Sequence, residues 1–159
     1  METVFLWLRT YLSKEWAVFF IAWLPFVELR LAIPLGISLG INPWLAFFLG
    51  FSGNIMPVVP LLFFLKPVRI FLQNKSVLLS RFFAWLDQRT YKKSDKVYKY
   101  GALGLIFFTA VPLPTTGAWT ASLAAMLFKI KFIYAFPAII AGVLIAAIVV
   151  TLTSITFLQ

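Results

Sequence analysis

Two charged residues, Glu28 and Arg30, lie inside an apolar stretch and are flanked by two prolines, Pro25 and Pro34. The apolar runs on either side are each about ten residues long, or roughly 15 Å of helix, whereas a full bilayer crossing needs about 20 apolar residues. Each run therefore reaches only the middle of a bilayer. The sequence predicts a re-entrant hairpin, in which two half-helices meet at a polar elbow that contains both prolines as structural residues.

The composition places this hairpin in a membrane. Hydrophobic residues make up 62% of the 159 residues and charged residues 12%, against about 45–50% and about 25% in ordinary soluble domains. The mean hydropathy is +0.97. Because no segment resembles a linker, we expect an all-α integral membrane protein that forms a single domain over residues 1–159.

Several kinds of chemistry are excluded by the residue types that the sequence lacks. There is no cysteine and no histidine, so disulfides, thiol nucleophiles and histidine-based metal sites are ruled out. The sequence also has no Ser-His-Asp set and no phosphate-binding loop followed by a lysine. We therefore do not expect an enzyme, and we expect neither a metal nor another cofactor.

Most of the net charge of +9 lies in one basic segment, residues 66–100, between apolar runs. Lysine and arginine next to membrane helices tend to stay in the cytoplasm, and they attract anionic lipid head groups. We expect this segment to be cytoplasmic and bound to anionic lipids rather than to nucleic acid, in a multi-pass protein of the cell (inner or plasma) membrane. Its middle has apolar residues on one helical face, which indicates a helix at the membrane surface. These residues are Leu78, Leu79, Phe82, Trp85 and Leu86.

The order interfacial helix, hairpin and apolar span occurs twice along the chain. Repeat one, about residues 1–65, has an amphipathic stretch at 4–12, the hairpin described above and an apolar span at 44–65. Repeat two contains the basic segment, a second broken apolar stretch at 101–128 and a span at 130–157. A cytoplasmic basic segment makes the hairpins open to opposite sides. The fold class predicted is therefore an inverted repeat, a layout of many secondary transporters.

Prolines and small residues within the spans predict irregular, closely packed helices. Pro57 and Pro60 each remove a backbone donor, so we expect both to kink the first span. Small residues four positions apart let helix backbones approach closely in a membrane. They recur on the spans as Ala46-Gly50-Asn54 and Ala138-Gly142-Ala146, and on the second helices of the hairpins as Gly36-Gly40 and Ala121-Ala125.

The second apolar stretch is broken by two prolines and two threonines within residues 111–117. A threonine is a natural N-cap for the helix predicted over 117–128, and free N–H groups at a buried helix N-terminus favour anions. The alternative is a purely structural cap and break. The candidates are Pro112 and Pro114 as structural residues, and Thr115, Thr116 and Trp119 as substrate-binding residues.

Glu28 is the predicted proton-coupling residue. A charge deep in an apolar region costs about 3 kcal/mol or more on insertion scales, so such a residue is a functional candidate by default. Removal from water disfavours the ionised carboxylate, and proton uptake near neutral pH is therefore expected. The structural alternative is that Glu28 only neutralises Arg30.

Arg30 and Asn54 are the candidates for substrate contact in repeat one. Arg30 offers a planar fork of donors suited to phosphate or carboxylate. Its alternatives are a structural salt bridge, or extension of the side chain to the membrane surface. Asn54, polar in the middle of the first span, either completes the site or bonds a neighbouring helix.

Residues 26–37 together with residues 111–120 resemble the putative small multi-drug export protein family, which is similar to a branch of the wider DedA superfamily. The resemblance implies two opposed re-entrant hairpins, a functionally needed acid at Glu28, and transport coupled to the proton gradient. It also implies a substrate class, since some DedA proteins move polyprenyl-phosphate lipid carriers. DedA proteins proper carry arginine around the second elbow, whereas residues 101–128 hold no charge here, so Arg30 would have to supply the cation.

Three functions are compatible with these features. The first is a proton-coupled transporter that moves an amphipathic anionic substrate, such as a polyprenyl-phosphate lipid carrier, by alternating access. The second is an exporter of drugs or small cations, in which Glu28 binds both the cation and the proton. The third is a non-transporting scaffold whose polar elbows only stabilise packing. A bundle this small is compatible with a homodimer.

Overall fold

The computed structural model of the protein describes residues 13–78, 80–82, 84–85, 94–111 and 117–158. The regular structure within these ranges is α-helical, and no strand occurs among them. The stretch predicted to lie in the interface near the N-terminus falls outside the described residues.

The first part of the described chain forms four helices. The chain is interrupted between Trp23 and Glu28, so a break near Pro25 is confirmed. The predicted elbow extended to Pro34, which is wrong, because Glu28, Arg30 and Pro34 lie in the helix that follows. The fourth helix continues ten residues beyond the predicted span, into the basic segment. The helices are α1 (Lys14–Trp23), α2 (Glu28–Ser38), α3 (Pro43–Ile55) and α4 (Val58–Lys75).

Helices α1 and α2 form a hairpin in which the start of α1 lies beside the end of α2. Lys14, at the start of α1, donates from Nζ to the carbonyl oxygen of Leu39, just after the end of α2, at 3.0 Å. Between these ends the helices touch closely, since a Cβ added to Gly36 would lie 2.9 Å from Cγ2 of Val18. The chain therefore reverses direction at the elbow.

The second part of the described chain has a similar hairpin followed by a long helix. Its helices are α5 (Ser94–Ala110), α6 (Ala118–Leu127) and α7 (Phe132–Leu158). The chain again reverses direction, and the end of this hairpin lies beside α5, because a Cβ added to Gly101 would lie 3.0 Å from Cδ1 of Ile130. Residues 77–78, 80–82 and 84–85, between the two parts, are also helical.

The second helices of both hairpins end in the same hydrogen-bonded turn. The N–H of Ile41 donates to the carbonyl of Gly36 at 3.0 Å, and the N–H of Ile130 donates to the carbonyl of Ala125 at 2.9 Å. A left-handed residue precedes each donor, as in the Schellman motif. Each residue of the second turn lies 89 positions after its counterpart, as Ile130 does after Ile41.

Gly40 is the left-handed residue of the first turn, with φ +77°. A Cβ added to it would meet no atom within 4 Å. The expectation that Gly40 belongs to a packing stripe is therefore wrong, because its role is to terminate α2. The other small residues of the predicted stripes are buried against neighbouring helices.

Two glycines, again 89 positions apart, bring each span against the first helix of its own hairpin. A Cβ on Gly53 of α3 would fall on the carbonyl oxygen of Phe19 in α1. A Cβ on Gly142 of α7 would lie 2.7 Å from the carbonyl oxygen of Ile106 in α5. Such backbone proximity is how membrane helices pack without a hydrophobic driving force between them.

Replacing Gly142 with alanine is expected to lower the stability of the protein. The added methyl group would overlap a backbone carbonyl of α5, and such overpacking costs about 1–3 kcal/mol. Thermal unfolding in detergent measures the effect. Gly104→Ala is the matched control, because a Cβ on Gly104 meets nothing within 4 Å. Equal melting temperatures for the two variants would contradict the close approach of α5 and α7.

The prolines of the first half have three different roles. Pro57 lies in the break between α3 and α4, as its effect on a helix predicts. Pro60 lies in the first turn of α4, where a missing N–H leaves no intrahelical bond unmade, so the expected kink there is wrong. Pro34 lies inside α2, which starts at Glu28, and it cannot donate the usual bond to the carbonyl of Arg30.

Within the described ranges, two helical segments are long and apolar enough to cross a membrane, Pro43–Phe64 and Phe132–Phe157. Helix α7 packs against α2, α3 and α5, and the core lies between them. Many large apolar side chains point outward, and in a membrane protein these face lipid. Examples are Phe26, Phe48, Phe63, Phe107 and Ile133.

Candidate functional site

Glu28 starts α2 in a backbone conformation that non-glycine residues seldom adopt. Its φ is +52°, in the left-handed region, which costs roughly 1–2 kcal/mol for an L-residue. Its side chain is only 5% exposed. Such strain persists only where surrounding contacts fix the residue, and it clusters at functional sites.

The Glu28 carboxylate lies against the N-terminus of α6, in the other hairpin. It accepts hydrogen bonds from the backbone N–H groups of Ala118 and Trp119. Gly117, the N-cap of α6, approaches so closely that a Cβ there would fall on the carboxylate oxygens. The first N–H groups of a helix have no intrahelical partner and carry partial positive charge. Glu28 therefore caps α6 from the opposite hairpin.

Arg30 also contacts the second hairpin, at the end of α5. Its Nη2 donates to the carbonyl oxygen of Val111, just past the end of α5, at 3.0 Å. The guanidinium also interacts electrostatically with Glu28, since the irregular start of α2 brings the two charges near each other. The anion thus lies at a helix N-terminus and the cation at a helix C-terminus, which is the favourable arrangement for both.

Trp119 makes a similar hydrogen bond from the second hairpin to the first. Its indole Nε1 donates to the carbonyl oxygen of Trp23, the last residue of α1, at 3.2 Å. Trp119 follows Arg30 by 89 positions, the same separation as between the two terminating turns. Each hairpin therefore donates one side-chain hydrogen bond to the end of the other hairpin's first helix.

A family model described as "Putative small multi-drug export protein" matches residues 28–149. The match covers more than half of the 159 residues and begins at Glu28 itself. The chain belongs to this family. No curated protein and no solved structure matches it. The family description, together with the two apolar spans, makes this a membrane protein of an export family, as the resemblance implied. Membership of the DedA superfamily stays a prediction.

The second elbow of this export-family protein differs from the prediction in its cap. Gly117 rather than a threonine is the N-cap of α6, and no side chain within that turn caps it. The capping role expected of Thr115 or Thr116 is taken by the carboxylate from the other hairpin. The remaining predicted elbow residues, Thr115, Thr116, Pro112 and Pro114, lie outside the described residues.

Asn54 is buried with one hydrogen-bonding group unused. It is 1% exposed, and its Oδ1 has no hydrogen-bond partner among the residues that the structure describes. It lies one turn beyond Gly50, whose Cβ position meets Ile33 and Leu29 of α2. Because α2 and α3 run in opposite directions, Asn54 lies level with the start of α2. A buried unsatisfied oxygen costs about 1–3 kcal/mol, so it suggests an additional donor at the elbow.

The rim of the site is apolar and faces outward. Phe26 is 92% exposed, and Leu24, Pro25 and Leu31 beside it are exposed as well. A polar site next to exposed apolar side chains suits a molecule with a polar head and an apolar tail. Of these rim residues, only Pro25 was predicted to have a role, as a structural residue of the elbow.

Glu28 is a poor cation ligand in this arrangement. Its carboxylate is engaged by two N–H donors and lies near a guanidinium, and all of these repel a metal ion. No group of three or more acidic, histidine or cysteine side chains forms a metal site in the part of the chain that is described. The donors around this position suit a negatively charged group better than a cation.

Proposed function

We propose that the protein is a proton-coupled transporter of the cell membrane that moves an amphipathic anionic substrate by alternating access. The observation that carries the proposal is the Glu28–Arg30 pair, with Glu28 buried and Arg30 partly buried, where the broken ends of the two hairpins meet. Glu28 would bind the proton. Arg30 and the N-terminus of α6 would bind the anion.

Three of the four hairpin helices are short, and so is Tyr100–Ala110, the apolar part of α5, which supports a re-entrant arrangement of both hairpins. Helices α1, α2 and α6 have 10, 11 and 10 residues. Each is about 15 Å long, roughly half of the 30 Å hydrocarbon core of a bilayer. Since both hairpins return to their starting level, their elbows would meet near the middle of the membrane, where transporters with broken helices bind substrate.

A long connection supports the inversion of the two halves. Helix α3 begins at Pro43, next to the open end of the first hairpin, and α4 follows it in the chain. Further along, Arg69 of α4 donates from Nη1 to the carbonyl of Met126, near the open end of the second hairpin, at 3.2 Å. Residues 43–69 make roughly 40 Å of helix, about the full thickness of a bilayer. The open ends would therefore lie on opposite faces.

The positive charges then assign the faces. Arg69, Lys129 and Lys131 all lie at the open end of the second hairpin, next to the basic segment 66–100. By the positive-inside rule, this distribution of charge supports a cytoplasmic location for that face. The helical residues Leu78, Phe82 and Trp85 are exposed, in agreement with a helix at the membrane surface that contacts anionic lipid head groups.

Proton binding and anion binding favour each other in this site. While Glu28 is ionised, its carboxylate occupies the N–H groups of α6 and neutralises Arg30. Once Glu28 is protonated, that attraction weakens and one positive charge remains for a substrate head group. By linkage the anion equally promotes protonation. An inward proton gradient would therefore drive the anion and the proton together toward the cytoplasm.

The family description favours a second candidate, an exporter of lipophilic cations. A cation at Glu28 would compete with the proton, so an inward proton gradient would drive the cation outward. The present geometry counts against this candidate, because Arg30 and the N-terminus of α6 oppose a cation there. The direction of coupling separates the two functions.

Proteoliposomes with an imposed pH gradient test the proposal. A fluorescent anionic lipid is expected to move in the direction of the protons, and faster when Glu28 can be protonated on the starting side. Lipophilic cations are the comparison substrates, and empty liposomes are the blank. Movement of cations against the proton flow, without movement of the anionic lipid, would replace the proposed function with the second candidate.

A further inference from the structure

The apolar body of the protein contains only two charged residues. Residues 16–65, 101–128 and 132–159 hold Glu28 and Arg30 and no other charge. When Glu28 is protonated, Arg30 is the single charge of this region. Any further negative charge on a bound molecule would lack a counter-charge at that depth.

The second hairpin has a donor that corresponds to Arg30, and this donor is neutral. Arg30 donates to the carbonyl of Val111 at the end of α5, and Trp119 donates to the carbonyl of Trp23 at the end of α1. The two donors are 89 positions apart, like the terminating turns and the glycines Gly53 and Gly142. Trp119 thus occupies in the second hairpin the position that Arg30 occupies in the first.

We propose that the transported molecule carries one negative charge, and that Trp119 sets this limit by making the second donor position neutral. This inference depends on the proposed function and specifies its substrate class. A singly charged head group, such as a phosphodiester, gives a neutral complex with Arg30 and protonated Glu28. A doubly charged head group leaves one uncompensated charge in the apolar region, a penalty on the order of a hundredfold in binding.

Two lipids with the same tail test the proposal in proteoliposomes. One ends in a methyl phosphodiester with one charge. The other ends in a phosphate monoester, and both lipids are compared at about pH 8, where the monoester carries two charges because its second pKa is about 6. We expect wild-type protein to move the diester at least about tenfold faster than the monoester, which is less than the full hundredfold penalty in binding. Equal rates, or a faster monoester, would overturn the charge limit and leave the proposed function intact. Cation movement with neither lipid moving would overturn both.

Two substitutions at Trp119 separate charge from structure. Trp119→Arg adds a second guanidinium and is expected to shift the ratio of rates toward the monoester. Trp119→Phe removes the indole donor without adding charge and is expected to keep the wild-type ratio. If both variants change the ratio equally, Trp119 acts through packing and the proposal is wrong. Since the wild-type ratio is measured independently, the test stands even if Trp119→Arg does not fold.

Discussion

Replacing Glu28 with glutamine is expected to abolish proton-driven transport in a protein that still folds. Glutamine has nearly the same size, and its amide oxygen can still accept hydrogen bonds from the N–H groups of Ala118 and Trp119. It cannot ionise, however, so it cannot exchange a proton or compete with an anionic substrate. Position 28 would stay uncharged, as in protonated Glu28, and proton and substrate binding would no longer be coupled.

The measurement is uptake of an anionic lipid into proteoliposomes, with and without a pH gradient. In Glu28→Gln the gradient-dependent part is expected to fall to the level of empty liposomes. The matched control is Glu15→Gln, since Glu15 lies in the first turn of α1, away from the elbow. Wild-type uptake by Glu28→Gln across the pH range would remove Glu28 from the mechanism and favour a scaffold.

Replacing Gly117 with alanine is expected to cost both stability and transport. The methyl group would occupy the place of the Glu28 carboxylate, which would then lose its hydrogen bonds while still buried. Removing the partners of a buried charge typically costs about 3–5 kcal/mol. The substitution also separates the two hairpins where the substrate would bind.

Thermal unfolding in detergent and liposome uptake together measure this effect. Gly104→Ala serves again as the control, because it adds the same methyl group to α5 in open space. A helical glycine replaced by alanine there is expected to be neutral or stabilising by up to about 1 kcal/mol. If Gly117→Ala matched this control in both assays, Glu28 would not lie against α6.

Local features of the sequence predicted the breaks of both hairpins. Proline within an apolar run disfavours a continuous helix, and the structure ends α1 at Trp23, before Pro25, and α5 at Ala110. The small-residue stripes predicted buried helix faces, and Gly50, Asn54 and Gly142 are buried. These features depend only on neighbours along one helix, so a sequence carries them directly.

The partner of each charge could not be predicted in the same way. Glu28 contacts residues 118–119, about 90 positions away, and no local pattern encodes such a contact. The threonines near 116 looked like caps because capping was considered within one segment, whereas the cap comes from the other hairpin. One signal was present: a shift of 89 positions pairs Glu28 with Gly117 and Arg30 with Trp119.

The central claim is that two hairpins enter from opposite faces and that their elbows meet inside the membrane. Single cysteines test it cleanly, because the natural sequence has none. Ser13→Cys, Ser38→Cys and Lys129→Cys place a thiol at exposed positions at the open ends of the hairpins. A membrane-impermeant thiol reagent added to intact cells is expected to label the first two and to spare the third until the cells are opened. Labelling of Ser13→Cys and Ser38→Cys from different sides, or of Ser38→Cys and Lys129→Cys from the same side, would contradict it.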